Sequence, residues 1–81
     1  MRPDHKKALE ICIRKKRNIT EYDLCSIYVT MQSRKNVLRY FVQRGFLELD
    51  MTGGWKINPL TYDIALKEVY NIADYTQTIL Q

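Results

Sequence analysis

The amino-acid sequence predicts a small, mainly helical domain that carries one β-hairpin. Apolar residues recur at helical spacing in several separate stretches of the 81-residue chain. Two short apolar runs flank Gly53-Gly54, a pair typical of a hairpin turn with positive φ angles. Because the chain holds only three glycines and two prolines, its composition suits a helix-rich globular domain and not a disordered one.

The first helix is expected to begin at an N-cap, Asp4, and to end near Arg17. Cations at a helix C-terminus complement the helix dipole, and the same basic residues could contact a phosphate backbone. The sequence favours neither role of this basic end over the other. The buried stripe of the helix comprises Ala8, Leu9, Cys12 and Ile13, and the basic cluster comprises Arg14, Lys15, Lys16 and Arg17.

A second, shorter helix is predicted to start after Thr20 and to run to about Tyr28. Thr20 and Asp23 have the spacing of a capping box, in which side chains satisfy free backbone N–H groups at the helix start. Ile19 and Leu24 flank this start as a hydrophobic staple. The signals for a helix start are therefore concentrated within six residues.

The third helix follows after a short turn. Its start is ambiguous, because Thr30 and Ser33 are both good N-cap residues. It is expected to end at Gly45, directly after Arg44, because glycine is typical just beyond a helix C-terminus. Its buried stripe comprises Val37, Leu38 and Phe41.

Two short strands are predicted at residues 46–50 and 55–57, with Trp55 in the core. Asn58-Pro59 then has the pattern of an N-cap followed by proline at the first helical position, and a final helix is expected nearly to Gln81. The order helix, helix, helix, hairpin, helix is that of a winged helix-turn-helix with a long C-terminal helix.

The face of the third helix opposite its buried stripe is polar and contains no carboxylate. No Asp or Glu occurs from Thr30 to Leu47. Gln, Asn and Arg form bidentate hydrogen bonds with adenine and guanine edges, whereas Lys and Tyr suit phosphates. A generic solvated surface is the alternative, but the place of this face in a helix-turn-helix favours double-stranded DNA as the partner. The candidate DNA-binding residues are Gln32, Ser33, Arg34, Lys35, Asn36, Arg39, Tyr40 and Gln43.

Weaker candidates for DNA contact come from the charge distribution. The net charge is +4, and twelve of the thirteen Lys and Arg residues precede residue 60, which favours a polyanionic partner. The hairpin could lie on DNA as a wing, although a plain hairpin that closes the core explains it equally well. These weaker candidates are Thr52, Gly53, Gly54 and Lys56 of the hairpin, with Arg14, Lys15, Lys16 and Arg17 of the basic cluster.

The final helix carries an apolar seam with the 3-4-3-4-3 spacing of a heptad repeat. It could fold back on its own domain or pair with a second chain. A helix of about 30 Å is longer than so small a body needs, which favours a homodimer. We therefore expect a DNA-binding domain at residues 1–58 and a dimerisation helix at residues 59–81. The expected interface residues are Tyr62, Ala65, Leu66, Val69, Ile72, Ala73, Thr76 and Ile79.

The segment from Thr20 to Ile57 resembles the winged-helix superfamily of DNA-binding proteins. Residues 19–24 are similar to the start of its second helix, and residues 37–47 resemble a recognition helix that leads into the first wing strand. Val29-Thr30-Met31 followed by Val37-Leu38 is most similar to small archaeal winged-helix proteins, including chromatin-type proteins and viral regulators. The resemblance implies dimers that pair through a C-terminal coiled coil.

The sequence predicts a binding protein and not an enzyme. The single histidine, His5, leaves no Ser/His/Asp or Cys/His set, and no phosphate-cradling glycine loop is present. Cys12 and Cys25 lack metal-site spacing and are expected to be buried, reduced thiols. We therefore expect no metal and no cofactor.

The expected function is that of a dimeric transcription regulator that binds duplex DNA sequence-specifically. The alternatives are an architectural, chromatin-like DNA binder and a winged-helix module for protein–protein contacts in a larger complex. With no signal peptide and no long apolar run, the chain is expected to have no membrane partner and to be cytoplasmic. It would be associated with the nucleoid, or it would lie in the host cytoplasm if the protein is viral.

Overall fold

The computed structural model describes residues 1–70, which form three α-helices and one two-stranded antiparallel hairpin. The predicted combination of a mainly helical domain with one hairpin is confirmed. The predicted run of the last helix beyond Tyr70 lies outside the described residues. The helices are α1 (Pro3–Lys15), α2 (Met31–Gln43) and α3 (Tyr62–Tyr70), the strands are β1 (Leu47–Leu49) and β2 (Trp55–Ile57), and short 3₁₀ turns span Glu21–Leu24 and Pro59–Thr61.

One hydrophobic core joins these elements, and α1 lies at its centre. This helix packs against α2, α3 and β2, so its apolar stripe is covered on several sides. The predicted stripes of α1 and α2 are both confirmed as buried. The core comprises Ala8, Leu9, Cys12, Ile13, Ile19, Leu24, Val37, Leu38, Phe41, Phe46, Leu47 and Ala65.

The predicted cap of the first helix is wrong. The helix begins two residues earlier than predicted, at Pro3, and Arg2 occupies the N-cap position. Proline suits this first position because its φ angle is already helical and it lacks an N–H group that would be unpaired there. Asp4 instead lies in the first turn, where its carboxylate accepts a hydrogen bond of 3.1 Å from the Tyr28 hydroxyl. The helix also ends at Lys15 and not at Arg17.

The second helix is much shorter than predicted and is a single 3₁₀ turn at Glu21–Leu24. Its start matches the prediction, because the Asp23 carboxylate accepts the Thr20 backbone N–H at 2.8 Å. Beyond Leu24 the chain leaves the helix, and the next apolar side chains, Ile27 and Tyr28, are only half-buried. A short helix needs a buried face to offset its nucleation cost, and this segment buries only Leu24 fully.

The structure resolves the ambiguous start of the third helix in favour of Thr30. The Thr30 hydroxyl accepts the backbone N–H of Ser33 at 3.1 Å. The predicted end is confirmed at Gly45, whose φ angle is +81°. The Gly45 and Phe46 N–H groups donate back to the carbonyls of Val42 and Phe41, which is the Schellman pattern of helix termination.

The hairpin pairs Leu47 with Ile57 and Leu49 with Trp55. Its predicted positive φ angles are confirmed at Gly53 (+117°) and Gly54 (+70°). The turn is closed by a 3.0 Å hydrogen bond from the Gly53 N–H to the Asp50 carbonyl. The connection is therefore a turn of several residues, and Gly54 returns the chain to the ladder.

The second edge of β2 is also paired, which the sequence analysis did not predict. Ile19 and Trp55 exchange two backbone hydrogen bonds of 2.8 Å, and the Ile57 N–H donates to the Lys16 carbonyl at 2.9 Å. The linker after α1 therefore runs along β2 like a third strand. A Cβ atom at position 54 would collide with the Ile19 carbonyl oxygen, so this close approach requires glycine at Gly54.

The Asp50 carboxylate connects the same linker to the hairpin turn. Its side chain is fully buried and accepts hydrogen bonds from the Arg17 guanidinium at 3.3 and 3.5 Å and from the Asn18 backbone N–H at 3.2 Å. Thr52 adds its backbone N–H at 3.1 Å and its hydroxyl at 2.9 Å. The Arg17 guanidinium, assisted by the Thr52 and Asn18 groups, holds the pKa of Asp50 well below its usual range.

We predict that Asp50 makes folding stability dependent on acid. Because its folded-state pKa lies below the usual 3.8, its contribution is complete above that value and is lost as the pH falls below it. Asp50→Asn should lower stability near neutral pH and flatten its dependence on pH below about 4. Urea unfolding, followed by circular dichroism at a series of pH values, measures both effects.

The matched control is Asp63→Asn, which neutralises an exposed carboxylate in the first turn of α3. This control should keep most of the wild-type acid dependence. An Asp50→Asn curve that runs parallel to the wild-type curve at every pH would contradict the assigned role of the carboxylate.

Candidate nucleic-acid interface

The polar face of α2 is open to solvent. Five of the eight candidate side chains on this helix are exposed and lie away from its buried stripe. The Gln32 side-chain amide donates to the Asn36 side-chain oxygen at 2.9 Å, which orients both amides along the helix. The side-chain NH2 group of Asn36 and the side-chain oxygen of Gln32 stay available to a ligand. The five exposed residues are Gln32, Lys35, Asn36, Arg39 and Gln43.

The cations of this face are not neutralised within the part of the chain that the structure describes. Ion pairs in residues 1–70 involve six other basic residues, but neither Lys35 nor Arg39. Their side chains are free to meet an anion or a base edge without first breaking an internal salt bridge. Within residues 1–70 this distinguishes Lys35 and Arg39 from the basic cluster at the end of α1, where three of the four cations contact carboxylates.

Three candidate residues of α2 have contacts within the fold. Arg34 donates to the Tyr28 carbonyl at 2.8 Å and to the Val29 carbonyl at 3.0 Å, so it closes the turn before α2. Ser33 caps the helix with Thr30. Tyr40 lies 4.9 Å from the His5 ring, centroid to centroid, and therefore faces α1.

The hairpin candidates are also held within the fold. The Thr52 hydroxyl lies 2.7 Å from the Asn18 side-chain oxygen and 2.9 Å from Asp50, and Gly54 abuts the Ile19 backbone. Lys56 forms a cross-strand ion pair of 3.5 Å with Glu48. Gly53 is exposed, with open space around its Cα. The turn is thus anchored to the linker after α1.

The basic cluster at the end of α1 is largely paired with carboxylates. Arg14 contacts Glu10 at 2.7 Å one helical turn away, and Lys15 contacts Asp23 at 2.8 Å. Arg17 contacts Asp50, as described above. Lys16 is exposed and has a positive φ angle of +73°. The pairing favours the structural role of this cluster over the phosphate-binding role.

The first half of the predicted dimer seam lies against the chain's own core. Ala65 is fully buried, and Tyr62, Leu66 and Val69 pack around the same core, where α3 meets α1. Ala65 is therefore covered within one chain, and the other three side chains are partly covered. The other predicted interface residues, Ile72, Ala73, Thr76 and Ile79, lie outside the described residues.

A groove between α2 and the hairpin was not foreseen from the sequence. Its volume is about 390 Å³, and it joins cationic and apolar side chains of α2 to apolar side chains of the hairpin. Leu49 shares a strand face with the buried Leu47, and strand alternation alone would place both side chains inward. The core ends at Leu47, however, and Leu49 is 74% exposed. The groove is lined by Glu21, Lys35, Arg39, Val42, Leu49 and Trp55.

Trp55 and the two cysteines differ partly from expectation. Trp55 packs against the core as predicted, but it is only half-buried and also lines this groove. Cys12 is a buried free thiol, and burial raises its pKa to about 12. The prediction that Cys25 is buried is wrong, because the chain leaves the 3₁₀ turn there and exposes it.

The chain matches no protein-family model, and neither curated proteins nor solved structures gave a significant match. Within residues 1–70, no three His, Cys, Asp or Glu side chains are grouped so that they could hold a metal ion. No helix in that part of the chain is long and apolar enough to cross a membrane.

We predict that Arg34 contributes to stability, unlike its neighbour Lys35. Arg34→Ala removes two hydrogen bonds that a charged side chain donates to turn carbonyls, and it should cost on the order of 1 kcal/mol. Lys35→Ala, the matched control on the exposed face, should change stability by less than about 0.5 kcal/mol. Urea unfolding of both variants tests this, and equal stabilities would refute the role of Arg34 in the turn.

Proposed function

We propose that this chain binds duplex DNA and that α2 is its recognition helix. The single observation that carries the proposal is the exposed face of α2, which combines amides with cations that form no ion pair within residues 1–70. Arginine forms bidentate hydrogen bonds with guanine, and Asn and Gln form them with adenine. The five exposed residues of that face therefore match the chemistry of major-groove base edges.

The arrangement around α2 supports a winged helix-turn-helix. The short turn at Glu21–Leu24 precedes α2, and the β1–β2 hairpin follows it, which is the element order of that motif. The paired linker at Ile19 adds a third antiparallel segment beside the hairpin. In this proposal the hairpin is the wing, and its anchored turn gives the wing a constant position relative to α2.

The proposed role is that of a non-enzymatic, sequence-specific transcription regulator. An architectural binder of the chromatin type would depend mainly on phosphate contacts. The α2 face instead holds three amides against two cations, and amides discriminate between bases better than they attract phosphates. This ratio favours specific over architectural binding.

We predict that Arg39→Ala weakens binding to a selected DNA site by on the order of 1–3 kcal/mol and relaxes specificity at one base position. Fluorescence anisotropy across a salt series, after selection of a site from random duplexes, measures both. Wild-type affinity should fall steeply as salt rises, because phosphate contacts release counterions.

The charge-matched control is Lys67→Ala, since Lys67 is an exposed cation on α3. This variant should bind the selected site nearly as well as the wild type. The proposal fails if Arg39→Ala and Lys67→Ala bind equally well, or if the wild type binds no duplex at low salt.

We further propose that the protein is a homodimer that pairs through the C-terminal part of the heptad seam. The pairing is supported by the spacing of apolar residues in the sequence and by the small size of the core. Two α2 helices would then meet half-sites about one helical turn apart, or a multiple of it. Since Val69 of α3 already packs against the chain's own core, positions after residue 70 are the better place to test pairing.

We predict that the wild type sediments with twice the chain mass of 9.7 kDa at micromolar concentration. Ile72→Glu combined with Ile79→Glu places charges in the apolar seam and should yield a folded monomer. Analytical ultracentrifugation with circular dichroism distinguishes a folded monomer from an unfolded chain. A monomeric wild type would remove the dimer and the paired half-sites with it.

A further inference from the structure

The groove between α2 and the hairpin has a chemistry that the proposed DNA contacts do not use. Val42 is 40% exposed and Leu49 is 74% exposed, and both line the groove beside the half-buried Trp55. Lys35 and Arg39 line it as well, so the apolar side chains adjoin the polar face of α2. A ligand of α2 that enters this groove must therefore offer an apolar group next to polar ones.

The apolar lining of the groove favours a base edge over a phosphate as that ligand. Glu21 lines the groove from the 3₁₀ turn, and within residues 1–70 no ion pair neutralises it. Lys35 and Arg39 attract a phosphate and Glu21 repels it, but the apolar side chains give a charged phosphate no hydrogen bond in exchange for its lost hydration. A base edge is uncharged, so it avoids the cost of burying a charge against apolar side chains.

Among the four DNA bases, thymine is the one whose major-groove edge carries an apolar group. Its 5-methyl group is recognised by contact with apolar side chains. We propose that Val42 and Leu49 contact the 5-methyl group of thymine when α2 occupies the major groove. This assignment depends on the proposed DNA binding. It adds to that proposal the part of the duplex that the groove recognises, the thymine methyl group.

The test compares two polymers, poly(dA-dT) and poly(dA-dU), which differ only in the 5-methyl group. The wild-type protein should bind the thymine polymer more tightly by roughly fourfold for each methyl group buried, because one buried carbon contributes about that factor. Leu49→Ala, and separately Val42→Ala with Leu49→Ala, should reduce this preference while the fold is retained. Leu60→Ala is the control, because Leu60 is 90% exposed and does not line the groove.

The outcomes separate this inference from the proposed function. If the wild type binds neither polymer at low salt, the proposed function fails. If it binds both polymers equally, DNA binding stands and the methyl contact is refuted. A thymine preference that survives both groove variants would mean that DNA shape causes the preference. The groove would then be a contact surface for a protein partner, and the proposal would be overturned. Circular dichroism of each variant verifies its folding, and the exposed Leu49→Ala change provides the decisive comparison.

Discussion

The buried carboxylate of Asp50 is the interaction on which the geometry of the hairpin depends. It accepts hydrogen bonds from Arg17, Asn18 and Thr52, so a single side chain joins the end of α1 to the hairpin turn. A buried charge is tolerated only when it is paired and hydrogen-bonded, and the carboxylate meets both conditions. Without these partners the turn would lose its connection to the linker.

This junction acts together with the backbone pairing of Ile19 and Trp55. The pairing places β2 between β1 and the linker, so the hairpin is held on both edges. Helix α1 packs against both α2 and β2. The linker that follows α1 therefore holds the hairpin on the same body that carries the exposed face of α2. The groove lies between these two elements, and Val42 of α2 and Leu49 of β1 are among its lining residues.

The salt bridges distinguish basic residues that stabilise the fold from basic residues that are available to a ligand. Arg14, Lys15 and Arg17 all contact carboxylates, whereas Arg39 on α2 lies in a stretch of sequence without acids. Basic residues close together in the sequence therefore have different roles in the fold. Net charge alone favours a polyanionic partner, and the pairing within residues 1–70 places Lys35 and Arg39 of α2 among the cations that no salt bridge engages.

The sequence by itself determined the buried stripes of α1 and α2 and the exposed polar face of α2. It also determined the helical start after Thr20 and the end of α2 before Gly45. Each of these follows from periodicity or from capping, which act over a few neighbouring residues. The contact of Arg34 with the turn carbonyls, the position of Leu49 outside the core and the pairing of Ile19 with β2 were decided by tertiary structure alone. The same holds for Asp50, whose partner Arg17 lies 33 residues away, because no local pattern indicates which distant donor a carboxylate will meet once the chain has packed.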